Sequence, residues 1–393
     1  MSRRAVVVGA GIGGLAAALA LARQGFRVEA FERAPRLQEF GAGLQLTPNA
    51  TRALTRIGAI DRVQAAAMAP SAVRVLRGGD GAELARLPVE EAERRWGAPY
   101  LTIHRVDLHS ALAEAAATHD VGLNFAAEVV DVASDAAGAS VGLKRGGADL
   151  RAAGDVIVGA DGLRSLARAR LGGGPADAPR FSYRVAFRAT VEAGWVAPRW
   201  RENEVTLRLG PRAHLVHYPL RDASIVNLVA VIESSWRGGS GDDPWDGDGD
   251  REALNRAFRD WSTDARDLVA APHAWRAWPL MLKSPLDRFA VGRIALIGDA
   301  AHPMTPFLAQ GAAQAIEDAD ALARRLDAGE DVAAALAAYS RDRVARANRV
   351  QREATAQGRL YHLSGPFALA RDLTMRALGP EGVLKRLDWL YAA

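Results

Sequence analysis

Ala5-Val6-Val7-Val8-Gly9-Ala10-Gly11-Ile12-Gly13-Gly14-Leu15 is the stretch that decides the fold. Ala5 to Val8 is a short β-branched run that reads as a buried strand. Leu15 to Gln24 reads as a helix closed by Gly25. Between them the glycines stand as Gly9-x-Gly11-x-x-Gly14, each with its own steric duty. Gly9 permits a tight turn, Gly11 lets backbone N–H groups approach a pyrophosphate, and Gly14 lets the helix pack close to the strand. The helix N-terminus then turns its positive dipole end toward the phosphates. Phe26 to Phe31 reads as a second strand and runs into Glu32, whose carboxylate can accept both ribose hydroxyls of an adenosine. This is a βαβ unit built for a dinucleotide. The motif alone does not separate NAD from FAD.

Working outward, the chain has 393 residues, 49% of them hydrophobic, enough to bury a sizeable core in a composite of two or three domains. A formal net charge of +4 suits anionic cofactors and substrates. No basic run with interleaved aromatics occurs, which argues against nucleic acid as a partner. The chain has no cysteine, so disulfides, thiolate nucleophiles and iron–sulfur clusters are excluded. That fits the cytoplasm. No uninterrupted apolar stretch reaches the roughly 18 residues of a membrane span. Met1-Ser2-Arg3-Arg4 followed by an apolar run mimics a twin-arginine signal, but a signal has no need of glycines at fixed positions.

Further along, Thr51–Ile57 and Val106–Thr118 read as helices, and Val73–Leu76, Gly122–Val132 and Ser140–Lys144 as strands. Gly172-Gly173-Gly174-Pro175 is a break. The strands Phe181–Val191, Val205–Leu209, His214–Tyr218 and Ile225–Ile232 predict an antiparallel sheet. Gly238–Asp250 reads as a surface loop, Gly311–Leu326 as a helix and Val332–Gly358 as a long one. The fold class expected is α/β: a Rossmann-like domain with an inserted, mostly antiparallel sheet domain and C-terminal helices. The expected boundaries are 1–72, 101–175 and 284–326 for the discontinuous cofactor domain. Residues 73–100 and 176–283 make the sheet domain, and 327–393 a helical tail.

Two more strand-to-turn motifs carry chemistry. Asp155–Gly159 is a buried-type strand that delivers Asp161-Gly162-Leu163-Arg164-Ser165-Leu166-Ala167-Arg168 to a helix start, where Asp161 can serve a ligand or simply cap the helix. Arg293–Ile297 delivers Gly298-Asp299-Ala300-Ala301-His302-Pro303, and a Pro/Gly loop then leads to Gly311-Ala312 at the head of a helix. Backbone N–H groups there can face a developing anion.

The dinucleotide fingerprint, the segment Asp161-Gly162-x-x-Ser165-x-x-Arg168 and Gly298-Asp299, in this order, resemble the flavoprotein aromatic hydroxylases of the p-hydroxybenzoate hydroxylase type over nearly the whole chain. Gly41–Asn49, His104–Leu108 and Ala309–Asp318 resemble the branch of salicylate, 3-hydroxybenzoate and 6-hydroxynicotinate hydroxylases, although many relatives carry Gly at Ala309. The resemblance implies non-covalent FAD, with Gly9, Gly11 and Gly14 at its pyrophosphate, and Glu32 and Arg33 at the adenosine end. It places Gln45 and Arg105 near the phosphate–ribityl side, Asp299 on the ribityl chain, and Gly311 and Ala312 beside the isoalloxazine N1–C2=O region. Asp161 is implicated in binding the nicotinamide cofactor. The implied activity is that of an NADH- or NADPH-consuming monooxygenase that inserts one oxygen atom of O2 into a small hydroxylated aromatic or heteroaromatic carboxylate through a flavin C4a-hydroperoxide. No metal is expected; a monomer or a homodimer is.

Flavin carries the hard step, and the protein supplies orientation, a dry pocket and a base against the substrate hydroxyl. In Ala213-His214-Leu215-Val216-His217-Tyr218 side chains alternate faces, so His214 and Tyr218 can act on one ligand while His217 points away. His302, three residues after Asp299, is the third candidate; similar residues line the pocket in 6-hydroxynicotinate-type relatives. His109 and His119 read as helix-surface residues, His362 lies in the tail, and His273 has no assignment. The alternatives are a flavin monooxygenase acting on a bulkier natural product, a non-enzymatic flavoprotein sensor, and an NAD-dependent dehydrogenase, which leaves Gly298-Asp299 unexplained.

Overall fold

The computed structural model describes residues 3–37, 42–135, 138–172, 177–235, 247–326 and 331–392. Gly41, the Gly173–Pro175 break and most of the loop at 238–250 lie outside the described residues.

Arg4–Val8 lies at the heart of a sheet, with Arg27–Phe31 parallel on one side and Val156–Gly159 parallel on the other. Gly122–Asn124 extends the first edge; Ile294–Leu296, in parallel, and Ala290–Val291, antiparallel, extend the second. Strands covered on both faces read as unbroken apolar runs, and Val6, Val7, Ile157, Val158 and Ala295 are at most 1% exposed. The helix Ile12–Arg23 packs on this sheet through Leu15, Leu19 and Leu21, all fully buried. Gly14 permits that closeness, since a Cβ there would fall 1.9 Å from the Gly9 carbonyl oxygen.

A second sheet has the order Gly247–Asp248, Arg276–Leu282, Arg180–Glu192, Ile225–Glu233, Ala213–Leu220, Glu204–Gly210, Ala72–Arg77 and Glu83–Leu87. Its neighbours are antiparallel except Glu204–Gly210 and Ala72–Arg77, which run parallel. Small sheets are formed by Glu128–Ser134, Ala139–Arg145 and Ala148–Gly154, and by Gly43–Leu46 with Leu101–His104. Helix Gly311–Arg325 packs against Ile12–Arg23, and the long helix Val332–Tyr361 lies over it.

Two local expectations differ. Gly122–Val132 is not one strand: Ala126 takes a left-handed φ of 50°, which turns the chain out of the parallel sheet and into the small antiparallel one. His109 is not a surface residue: it is 4% exposed, and its Nε2 lies 2.6 Å from the Ala10 carbonyl oxygen, bracing the glycine turn. Among the described residues no helix is long and apolar enough to cross a membrane.

Candidate active site

Two cavities open at the C-terminal ends of the parallel strands Arg4–Val8, Val156–Gly159 and Ile294–Leu296, the edge at which open α/β sheets bind ligands. The larger, about 960 Å³, is lined by Gly9, Gly11, Glu32, Arg33, Asp161 and Asp299 among others. The smaller, about 370 Å³, is lined by Gly11, Gln45, Arg105, Asp299, Gly311 and Ala312 on one side and by the second sheet on the other. Gly11 and Asp299, far apart in the chain, stand in the walls of both. Gly14 lines neither; its duty is packing.

The three turns are tied together. Glu32 accepts from the Ala10 and Ala34 amides, each at 2.9 Å, and so pins the glycine turn to the second strand. Asp161 accepts from Ser165 Oγ at 2.5 Å and from the Leu166 and Ala167 amides at 2.7 and 3.1 Å, so it does cap the short helix while bordering the larger cavity. Arg168, 1% exposed, donates to the carbonyls of Ala300 and Ala301 at 3.3 and 2.7 Å and forms an ion pair with Asp177. The second motif thereby holds the third in place.

The observed donors and spaces fit a flavin dinucleotide. A Cβ at Gly11 or Gly311, the residues that open two helices, would meet no described residue within 4 Å, so both backbones stand clear at the cavity edge. Asp299 is exposed to the open cavity, and no described residue donates a hydrogen bond to its carboxylate. Desolvation by the surrounding protein pushes that carboxyl pKa up, against the pull of His302 and Arg105. Its carboxylate is an acceptor open to the cavity and left free by the protein, the kind of group that a ribityl hydroxyl would engage.

The strand Ala213–Leu220 sends His214, Val216 and Tyr218 into the smaller cavity, beside Val229 and Val231 of the neighbouring strand. His217 points the other way, where its Nδ1 lies 2.9 Å from a guanidinium nitrogen of Arg208. His214 is pushed well below the usual histidine range by burial, by His362 and by Arg184, and is therefore neutral at pH 7. The Tyr218 phenol is pushed up by burial, only partly offset by Arg188 and a hydrogen bond with Gln45, so it stays protonated. Gly43 must be glycine here: a Cβ would fall 2.7 Å from the Tyr218 hydroxyl.

His302 is not brought to the cavity. The turn at Gly298–Ala300 directs it inward, 1% exposed, with Nε2 at 2.5 Å from Asp318. Burial raises the Asp318 pKa, but His302 and Arg343 outweigh it and hold the carboxylate below its usual range. Asp318 also accepts from the Gly298 amide at 2.9 Å, so His302 belongs to the support beneath the Asp299 turn.

Two residues at the site were not singled out by their sequence. Arg188, from Arg180–Glu192, lines the smaller cavity; its Nε has no partner among the described residues and its guanidinium lies 5.4 Å from the Trp278 ring centroid. Burial and the nearby Arg105 push its pKa down to about 10, so it is charged at pH 7. His362, at the end of Val332–Tyr361, places Nε2 2.9 Å from Nδ1 of His214.

Residues 3–354 match the family described as FAD binding domain. The chain is 35% identical over 392 residues to a 3-hydroxybenzoate 6-hydroxylase of Klebsiella oxytoca, covering 99% of this chain and 96% of the relative. It is 34% identical over 362 residues to a 6-hydroxynicotinate 3-monooxygenase of Bordetella bronchiseptica, with 89% and 90% coverage. Its structure is similar to that of a salicylate hydroxylase–substrate complex at a TM-score of 0.83 and 25% identity, covering 100% of this chain and 95% of the other.

Proposed function

Because the chain belongs to the FAD-binding family of flavin-dependent hydroxylases and monooxygenases, we propose that it hydroxylates a small aromatic or heteroaromatic acid bearing a ring hydroxyl. NADH or NADPH and O2 are its co-substrates in this reading, which extends to a monomer or homodimer working in the cytoplasm. The division into a discontinuous cofactor domain and an inserted sheet domain is part of the same proposal.

One observation carries the substrate class: an arginine with an unpaired Nε, a neutral imidazole and a neutral phenol face one small cavity whose remaining wall includes Val216, Val229, Val231 and Leu280. Arg188 supplies the charge that a carboxylate needs in an apolar surrounding. His214, uncharged at pH 7, has its Nε2 unengaged among the described residues and can take the proton of a ring hydroxyl. Tyr218 orients that oxygen as a neutral hydrogen-bonding partner. The valines and Leu280 keep water from the reacting ring. Bound FAD supplies the hydride acceptor and the oxygen chemistry. A cavity of about 370 Å³ shared with the flavin ring favours a single-ring acid over a bulkier natural product. A dehydrogenase using the first motif alone would leave Asp299 and Gly311 at this cavity without a task.

A panel of hydroxylated aromatic acids, scored with both nicotinamide cofactors for stimulated oxidation and for a hydroxylated product, tests the proposal. A single-ring acid should stand out. Stimulation by none of them, or only by large substrates, would reject the substrate class.

A further inference from the structure

His214 has a second neighbour that the proposed chemistry does not yet use. Its Nδ1 meets Nε2 of His362 at 2.9 Å. The other ring nitrogen of His362, Nδ1, lies 3.4 Å from a Glu233 carboxylate oxygen. Glu233 keeps 30% of its side chain exposed and borders a surface depression of about 630 Å³ with Ser182, Arg184 and Arg212. Three ionisable groups thus run in file from the apolar pocket to the outside, contributed by Ala213–Leu220, by the end of Val332–Tyr361, and by Ile225–Glu233.

We infer that His214, His362 and Glu233 form a proton relay that carries the substrate's hydroxyl proton out of the apolar pocket and later returns one. The inference rests on the reading of this cavity as a hydroxylase pocket. The substrate O–H bond breaks as an N–H bond forms at His214 Nε2. The Nδ1 proton of His214 passes to Nε2 of His362, and the Nδ1 proton of His362 passes to Glu233, directly or through one water. The substrate is left as an anion in the pocket, and the proton is at the surface. The reverse sequence returns a proton to the product and resets both imidazole tautomers.

The surroundings say why a relay is needed. His214 is 3% exposed and has the rings of Phe307 and Tyr361 edge-on at 5.4 and 5.3 Å. Burial, His362 and Arg184 all work against charge on His214, so it accepts a proton without holding it. His362 is likewise held low by burial first and then by Arg184, with Glu233 opposing and Arg371 adding to the effect. Two bases that cannot stay protonated pass the proton on, and the solvent-facing carboxylate is where it leaves for water. Arg184 touches both groups: its Nε–H points at His362 Nδ1 from 3.4 Å and its guanidinium pairs with Glu233 at 3.6 Å, so in the structure His362 Nδ1 stands as an acceptor, its state after release, and a shift of Arg184 fully onto the carboxylate leaves that nitrogen to exchange its proton with Glu233. His362 is a positioning and relaying residue that acts on the substrate through His214.

FAD-loaded enzyme is mixed in a stopped-flow instrument with 3-hydroxybenzoate, or with whichever acid of the panel turns over fastest, in weak buffer containing a pH indicator. Proton release is read together with hydroxylation. His362→Gln and Glu233→Gln should keep FAD content and substrate affinity within about twofold while slowing release and kcat by roughly tenfold or more, the range of a lost acid–base function. Added imidazole should restore the rate in His362→Gly. Unchanged release and kcat in both glutamine variants would overturn the relay while leaving the hydroxylase reading intact. A wild-type enzyme that hydroxylates none of the acids would instead remove the reading on which the relay rests. Should His362→Gln fail to fold, Glu233→Gln, altered at the surface, decides the question alone.

Discussion

Replacing Arg188 by methionine should weaken binding of an aromatic acid and at the same time stabilise the empty protein. The Arg188 Nε has no hydrogen-bond partner among the described residues, and its side chain rests near Trp278 on a strand paired through Val229. Its pKa is pushed down to about 10, chiefly by burial, with Arg105 adding repulsion. A folded-state pKa below the ordinary arginine value means that folding disfavours the charged form throughout the pH range below about 10. Removing the charge therefore raises the melting temperature of the unliganded enzyme at pH 7. With an acid bound the sign reverses. A hydrogen bond to a charged group contributes about 1.5–3 kcal/mol, which corresponds to roughly ten- to hundredfold in Kd. Calorimetric titration of FAD-loaded wild type and Arg188→Met with the acid and with its neutral amide separates charge from packing. The acid should lose its affinity and the amide should lose little. Equal affinity of both enzymes for the acid, or an equal loss for acid and amide, would refute the anchoring role.

Other outcomes follow from the same geometry. His214→Ala should cut hydroxylation by roughly a hundredfold or more, as for a lost general base, with FAD content intact. His217→Ala should instead lower thermal stability, by leaving Arg208 short of a partner, with hydroxylation per folded enzyme near wild type; a rate loss equal to that of His214→Ala would contradict the strand parity. Asp299→Ala should weaken FAD retention by about 1–3 kcal/mol, seen as flavin lost on gel filtration, and unchanged retention would show that the carboxylate does not hold the cofactor. Ala309 takes a left-handed φ of 54°, so Ala309→Gly should relieve strain of about 1–2 kcal/mol, offset by about 0.5–1 kcal/mol of chain entropy. The melting temperature should rise slightly, and a clear fall would mean that the turn relies on the alanine side chain.

What the sequence made legible was local. The glycine turn, the Asp161 cap and the Gly298-Asp299 turn each lie within a strand–turn–helix segment, where spacing dictates geometry. Strand alternation was enough to separate His214 and Tyr218 from His217. His302 shows the limit: a position three residues after Asp299 ensures nearness but not direction, and the side chain turns to Asp318 on the next helix. His109 was legible in principle, because it shares a helix face with Leu112 and Ala113, both buried. Arg188 and His362 were not. Arg188 is one arginine among many on strands, and its role depends on which sheet face meets the cofactor loops. His362 reaches His214 only because a helix of 30 residues runs across the molecule, and no local pattern specifies where such a helix ends.

The most direct measurement uses isotopically labelled dioxygen. FAD-loaded enzyme, NADH or NADPH and the best acid of the panel are incubated under labelled O2, and the product is analysed by mass spectrometry. The account predicts a ring-hydroxylated acid carrying one labelled oxygen atom, with one nicotinamide oxidised per product. Oxygen incorporated from water, or nicotinamide oxidation that yields hydrogen peroxide and no hydroxylated product with every acid tested, would contradict it.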